Sequence, residues 1–163
     1  MIRRKSPARS ALAIDFVIAS EGWRAEPAAE AVVRRAVAQA ASAVSTARGE
    51  LAIVLTDDSA IRALNREWRG KDEATNVLSF PAAESQPDTP VLLGDIVIAY
   101  ETVAREALAE NKPFMHHLAH LAVHGFLHLV GYDHQTDKEA KAMETLETAV
   151  LARLDVPDPY AKA

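Results

Sequence analysis

The predicted order of secondary structure indicates an α+β fold, a small mixed sheet of about four strands packed with about five helices. Strand, helix, strand, helix and two strands precede three helices, without the strict βαβ alternation of a parallel α/β sheet. A chain of 163 residues is long enough to form a stable hydrophobic core without disulfide cross-links. The helix near residues 113–130 is apolar on all sides and rich in histidine, so we expect it at the centre.

The first part of the chain contains two strands and two helices. Apolar residues alternate from Leu12 to Ile18 as they do in a strand, and residues 27–47 carry apolar side chains at helical spacing. The short apolar run 51–55 is typical of a second strand. The polar residues 56–59 then offer N-cap oxygens for a second helix, which Gly70 ends.

The second part contains two strands and three helices. Residues 75–80 and 91–99 read as strands, and the proline-containing stretch between them as a surface loop. Helices follow over residues 101–110, 113–130 and 137–154, with Pro113 expected in a first turn. A tryptophan at helical spacing, Trp68, is expected to be core rather than a platform on which an unpaired base stacks.

The chain is expected to form a single domain over residues 11–157, flanked by a basic flexible arm (1–10) and a tail (158–163). The apolar run after the arm is not a secretory signal, because Asp15 interrupts it and its apolar residues alternate. No segment is long and uncharged enough to cross a membrane. The lack of cysteine fits a reducing compartment, and we expect a cytoplasmic protein.

The formal net charge of −5 disfavours nucleic-acid binding as a default, since phosphate neutralisation by Lys and Arg supplies much of that affinity. The charge is unevenly distributed. Residues 82–110 hold six acidic residues and one basic residue, Arg105. This segment alone accounts for the excess of negative charge. The remainder of the chain is balanced, so the composition does not exclude a local surface that binds nucleic acid.

Three histidines with a metal-site spacing are the most informative feature. His124 and His128 lie four residues apart, so on a helix they project from the same side. Gly131 can end that helix in a left-handed conformation and return His134 to the same ion. Three imidazoles leave one position open for water, as catalytic zinc sites do, and the absence of cysteine excludes thiolate ligands.

Other interpretations of the histidines are weaker. Simple decoration of a helix surface fits poorly, because a buried imidazole needs a partner for each ring nitrogen. His117 projects from the same flank as His124 and is a rival ligand. It lies about two helical turns from His124, however, which is too far to share an ion with both other histidines.

The same spacing occurs in metzincin peptidases, whose signature is His-Glu-x-x-His-x-x-Gly-x-x-His. The glutamate in that signature is the general base that activates the zinc-bound water. Here the corresponding residue is Gly125. Peptide hydrolysis by that mechanism therefore lacks its base.

The segment His124-Gly-Phe-Leu-His-Leu-Val-Gly-Tyr-Asp-His134 resembles the signature of the YbeY-type rRNA maturation factors, a family of metal-dependent bacterial endoribonucleases. Two further blocks resemble that family in the expected order: Leu64-Asn-Arg-Glu-Trp-Arg-Gly-Lys-Asp72 with Thr75-Asn-Val-Leu-Ser-Phe-Pro81, and Leu93-Gly-Asp-Ile-Val-Ile98. Together the blocks cover roughly residues 50–135. The long basic arm and the acidic loop depart from the pattern.

The resemblance implies a metallohydrolase in which His124, His128 and His134 hold one zinc ion and Arg69 faces the metal. It implies cleavage of single-stranded rRNA precursor in small-subunit rRNA maturation and ribosome quality control. A small-subunit ribosomal protein and a ribosome-associated GTPase are the implied protein partners. The alternatives are a ribosome-assembly binding factor with a structural zinc, and a metzincin-like metallopeptidase, which Gly125 disfavours.

Two residues near the site have competing interpretations. A guanidinium fork suits the non-bridging oxygens of a phosphodiester under attack, but a solvated arginine at a helix end explains Arg69 equally well without the resemblance. Asp133 could orient a water or a ligand, and a turn-forming aspartate after Gly131 is at least as good an explanation. The general base is therefore left unassigned.

Overall fold

The computed structural model describes residues 12–45, 48–83 and 91–161. These residues form a four-stranded mixed sheet and five α-helices, which confirms the predicted α+β class. The proposed basic arm, residues 1–10, lies outside the described residues, as do residues 84–90 of the loop between the last two strands.

The sheet has the strand order β1-β2-β4-β3. Its strands are β1 (Leu12–Ile18), β2 (Gly49–Thr56), β3 (Val77–Pro81) and β4 (Leu92–Ala99). The pairs β1–β2 and β2–β4 are parallel, whereas β3 pairs antiparallel with β4. The strands β1 and β3 are therefore the edge strands of this sheet.

The helices are α1 (Ala29–Ala43), α2 (Asp58–Arg69), α3 (Tyr100–Ala109), α4 (Phe114–Leu129) and α5 (Asp137–Ala152). Pro113 immediately precedes α4 rather than lying in its first turn, and its carbonyl accepts from the backbone N–H groups of His116 and His117. A short 3₁₀ helix, Glu21–Ala25, was not predicted. Among the described helices, none combines the length and apolar character that a membrane span requires.

The main core lies between one face of the sheet and helices α1, α4 and α5. Strand alternation turns Leu51, Ile53 and Leu55 of β2 to this face, where all three are buried. The helix α4 lies in the middle of this core and is buried on most of its circumference, with Leu118, Phe126 and Leu127 fully enclosed. The prediction of a central histidine-bearing helix is thus confirmed.

The opposite face of the sheet is covered by α2 through a smaller cluster that includes Ile61, Leu78 and Val97. Asp57 caps α2, because its carboxylate accepts from the Ala60 N–H at 2.8 Å. The expectation that Trp68 is core was wrong. The residue lies in the last turn of α2 and is 64% exposed, with its ring edge-on to Phe80 at 6.3 Å.

Candidate metal centre

The last two turns of α4 carry the first two histidines of the trio. His124 and His128 are one turn apart on the same flank, and their ring centroids are 4.6 Å apart. Both rings are partly exposed although the surrounding helix is buried. The helix therefore presents two imidazoles to solvent from a rigid, well-packed element.

A helix-terminating motif returns the chain to these rings. Gly131 adopts φ +106°, the Gly131 N–H donates to the His128 carbonyl at 3.1 Å, and the Tyr132 N–H donates to the Leu127 carbonyl at 2.9 Å. This pair of bonds is the Schellman arrangement, which needs a residue with positive φ at this position. The Tyr132 side chain packs against the main core and so fixes the reversal.

The reversal brings the third histidine to the other two. The ring of His134 lies 5.8 Å from that of His124 and 5.0 Å from that of His128, measured between centroids. Asp133 accepts a hydrogen bond from the His134 backbone N–H at 2.8 Å. The Asp133 carboxylate therefore stabilises the turn itself, which agrees with its interpretation as a turn-forming aspartate.

The three imidazoles fit a single metal ion. One ligand nitrogen from each ring lies within 4.8 Å of the others, which is compatible with one ion at metal–nitrogen distances of about 2.0–2.1 Å. Burial, reinforced by the adjacent His124 and His134 rings, lowers the pKa of His128 below its usual value. A low pKa keeps the ring neutral at physiological pH, which is the state that binds a metal.

The rival histidine His117 is engaged elsewhere. Its ring is buried, and its Nε2 lies 2.9 Å from Oε1 of Glu106 in α3. It belongs to no group of metal-ligand atoms found among residues 12–45, 48–83 and 91–161. The structure thus separates His117 from the trio, as the axial distance along the helix predicted.

A buried carboxylate adjoins the trio. Glu147 in α5 is 1% exposed, and its Oε2 lies 2.6 Å from Nε2 of His120 and 3.4 Å from Nδ1 of His124. The Tyr160 hydroxyl donates to both carboxylate oxygens, at 3.0 and 3.1 Å. Burial alone would raise the pKa of Glu147, but the adjacent His120 and His124 imidazoles outweigh it and lower the pKa to about 2.

The structure ties Arg69 to the same helix through Ser79. The Arg69 guanidinium donates to the Ser79 carbonyl at 2.7 Å, and the Ser79 hydroxyl donates to the Gly125 carbonyl at 2.7 Å. Gly125 follows His124 directly. Arg69 itself is exposed, and its guanidinium carbon lies 5.6 Å from the centroid of the Phe80 ring. Strand β3 therefore connects this cation to the first histidine of the trio.

Gly125 lies where α4 packs closely on the sheet. A Cβ at this position would lie 3.0 Å from Val77 Cγ2 and 3.1 Å from Ile96 Cγ2. The residue that replaces the metzincin glutamate therefore faces strands β3 and β4 and has no room for a long side chain.

The sequence as a whole matches a known family. A model of the family described as endoribonuclease YbeY matches residues 18–155. The chain belongs to the YbeY family. A Nitrobacter hamburgensis relative named endoribonuclease YbeY is 60% identical over 156 residues, covering 91% of this chain and 82% of the relative. A Rhodopseudomonas palustris relative of the same name is 62% identical over 152 residues, covering 90% of this chain and 80% of the relative.

The membership confirms the resemblance drawn from the sequence blocks, and the matched range includes the trio and Arg69. A solved structure supports the fold independently. The solution structure of Thermotoga maritima TM1509 superposes with a TM-score of 0.53 at 22% identity, covering 91% of this chain and 99% of that one.

Sequence reasoning missed one residue beside this YbeY-family site, Glu147. A signal was available. In α5, Met143, Glu147 and Val150 follow helical spacing along one buried stripe, so a carboxylate occupies a position where an apolar residue is expected. Only the structure shows that the stripe faces His120 and His124, because these residues come from a separate helix.

Proposed function

We propose that the chain is a zinc-dependent, single-strand-specific endoribonuclease that acts in small-subunit rRNA maturation and ribosome quality control. The observation that carries the proposal is the convergence of His124, His128 and His134 in a member of the YbeY family. The catalytic unit is a single metallohydrolase domain over residues 11–157, with a basic arm before it and a tail after it. We place this activity in the cytoplasm.

The trio is the proposed zinc site. Three neutral imidazoles would leave the charge of one bound zinc ion undiminished, and that ion supplies a Lewis acid and an activated water. The rigid helix α4 would set two of the ligands, and the turn at Gly131 would set the third. His134 is exposed, so the site is open to a polymeric substrate rather than enclosed.

Arg69 is the proposed catalytic residue. Cleavage of a phosphodiester gathers negative charge on its non-bridging oxygens, and a guanidinium can bind two of them at once. The bond to the Ser79 carbonyl holds the Arg69 side chain in one orientation, so less conformational entropy is lost when it binds a phosphate.

Placement on the substrate is proposed to need protein partners. The net charge of −5 limits the affinity that phosphate contacts alone supply. A small-subunit ribosomal protein and a ribosome-associated GTPase are the proposed partners, and single-stranded rRNA precursor is the proposed substrate.

The test combines metal analysis with cleavage of a small-subunit rRNA precursor. The parent protein is expected to bind one zinc ion per chain and to cleave the precursor in unpaired segments. His128→Ala is expected to lose most of the zinc and at least about 100-fold of the cleavage rate, since one ligand of a catalytic zinc is removed. The control is His116→Ala, which removes a histidine of the same helix outside the trio. Undiminished cleavage by His128→Ala would refute the proposal.

A further inference from the structure

The described residues contain one fully buried carboxylate, Glu147. Taking a carboxylate out of water costs several kcal/mol unless it is paired, and an apolar side chain in its place would pack without that cost. Glu147 lies in the interface between α4 and α5, where Met143 and Val150 supply apolar contacts on either side. Its presence there therefore needs an explanation beyond packing.

The contacts of Glu147 converge on the proposed metal ligands. Its Oε2 lies 3.4 Å from Nδ1 of His124, so Nε2 is the His124 nitrogen left for an ion. A carboxylate on the second nitrogen of a ligating histidine fixes the tautomer and the ring orientation and raises the basicity of the ligating nitrogen.

We propose that Glu147 is a positioning residue that holds His124 in the tautomer and orientation required to bind a divalent metal ion. The proposal rests on the proposed function, in that it takes His124, His128 and His134 as the ligands of that ion. Glu147 itself touches neither the ion nor the substrate. It acts through His124.

Two further side chains hold the carboxylate in place. His120 bonds to Oε2 at 2.6 Å, and the Tyr160 hydroxyl bonds to both oxygens. Asp158 links Tyr160 to the C-terminal half of α5. Its carboxylate accepts from the Tyr160 N–H at 2.8 Å and from the hydroxyl of Thr148 in α5 at 3.2 Å. The segment after α5 thus closes over Glu147 and belongs to the support of the site.

A competing arrangement would place a cation between His120, His124 and Glu147, whose ligand atoms also lie within 4.8 Å of one another. Two observations disfavour it. Both oxygens of Glu147 already accept from Tyr160, and the carboxylate is 1% exposed, so no open position faces solvent. The trio of His124, His128 and His134 is more accessible and contains only neutral nitrogen donors.

The experiment measures zinc affinity by competition with a chromogenic chelator, for the parent, Glu147→Gln and Glu144→Gln. Glu144 is an exposed carboxylate of the same helix and provides the matched control. Glu147→Gln is expected to weaken zinc binding by about 10–100-fold, as loss of an outer-shell partner does, while the circular dichroism spectrum of the metal-free protein is retained. Glu144→Gln is expected to match the parent.

A second variant tests whether weaker zinc binding in Glu147→Gln could come from misfolding. Tyr160→Phe removes only the hydroxyl that holds Glu147, and it is expected to weaken zinc binding by a few fold in the same direction. The visible spectrum of the cobalt-substituted protein gives an independent readout, since a change in the His124 ligand field shifts its bands in both variants.

Several results would overturn the proposal. Parent-like zinc affinity in Glu147→Gln, with only the metal-free melting temperature lowered, would make Glu147 purely structural. Retained zinc binding in His128→Ala together with loss in Glu147→Gln would place the ion between His120 and Glu147. A parent protein that binds no zinc would refute the proposed function itself, and that outcome is visible before any Glu147 variant is compared.

Discussion

Arg69 is the residue for which a functional and a structural role make the most different predictions. We expect Arg69→Ala to lower the rate of RNA cleavage by about 10²–10³-fold, because one preorganised donor to the developing charge is lost. Zinc affinity should stay unchanged, since no ligand is removed. The measurement is single-turnover cleavage of the rRNA precursor alongside zinc competition.

The control for this variant is Arg66→Ala, an exposed arginine one turn earlier in α2, which should cleave at the parent rate. Arg69→Lys should recover little activity, because a lysine lacks the planar fork that binds two oxygens. Equal losses in the Arg66 and Arg69 variants would point to general electrostatic attraction of RNA instead of a specific contact.

Gly125 separates this site from metallopeptidases. Gly125→Glu restores the metzincin signature in the sequence, but the new side chain would meet Val77 and Ile96 of the sheet. We expect a loss of several kcal/mol in the free energy of unfolding, from steric clash and a buried charge, and no peptidase activity. Denaturant unfolding and a peptide-cleavage assay check both parts, and a stable variant that cleaves peptides would contradict the structural argument.

The individual site residues differed in how far sequence could predict them. The relative positions of His124, His128 and His134 follow from helical geometry and one glycine, so local sequence information was sufficient to bring them together. The contact of Glu147 with His124 joins two residues that lie 23 positions apart in the sequence and on different helices. Such a contact depends on how α4 and α5 pack, which no local pattern specifies.

At the level of secondary structure, the turn after α4 carries the strongest prediction. Gly131→Ala places a Cβ in a backbone conformation with φ +106°, although no atom would collide with it, so the expected cost is about 1–3 kcal/mol of backbone strain. Part of that strain can be relieved by shifting the turn that carries His134. We therefore expect zinc affinity to fall about tenfold, which corresponds to about 1.4 kcal/mol.

The matched control is Gly70→Ala at the end of α2, where φ is +71° and the space around a Cβ is also open. Thermal unfolding should show a loss for both variants, whereas chelator competition should show weaker zinc binding only for Gly131→Ala. Similar zinc affinity in the two variants would mean that His134 is positioned independently of the Gly131 turn.

Helices and strands were predictable where hydrophobic periodicity was strong. The central α4 and the capped α2 both follow from such patterns, with bounds within a few residues. The 3₁₀ helix Glu21–Ala25 has no periodicity to detect, because it is held by the packing of Trp23 against Tyr100 and by the Trp23 indole bond to the Thr56 carbonyl at 2.9 Å. The exposure of Trp68 likewise depends on how α2 packs against the sheet, which no local pattern specifies.

For the whole molecule, the net negative charge disfavours binding to RNA, whereas the proposed catalysis requires it. Two of the acids that produce the net negative charge, Glu84 and Asp88, lie outside the described residues. The proposed catalytic surface has Arg69 and a metal cation as its positive charges. Because a net charge of −5 limits the contribution of phosphate contacts, we expect the RNA affinity to depend only weakly on salt and positioning on the RNA to need a partner.

Removal of the metal distinguishes a catalytic zinc from a structural one. The fold rests on the core around α4, whereas the three histidines are partly or fully exposed, so chelation should abolish RNA cleavage while the far-ultraviolet circular dichroism spectrum is retained. A ligand at about 100 times its dissociation constant stabilises the folded state by about 2.7 kcal/mol. For a chain of this length the melting temperature should therefore fall by about 5–10 °C upon chelation. If the ion is catalytic, readdition of zinc to the chelated protein should restore cleavage. Unfolding of the metal-free protein at room temperature would instead favour a binding factor in which zinc maintains the fold.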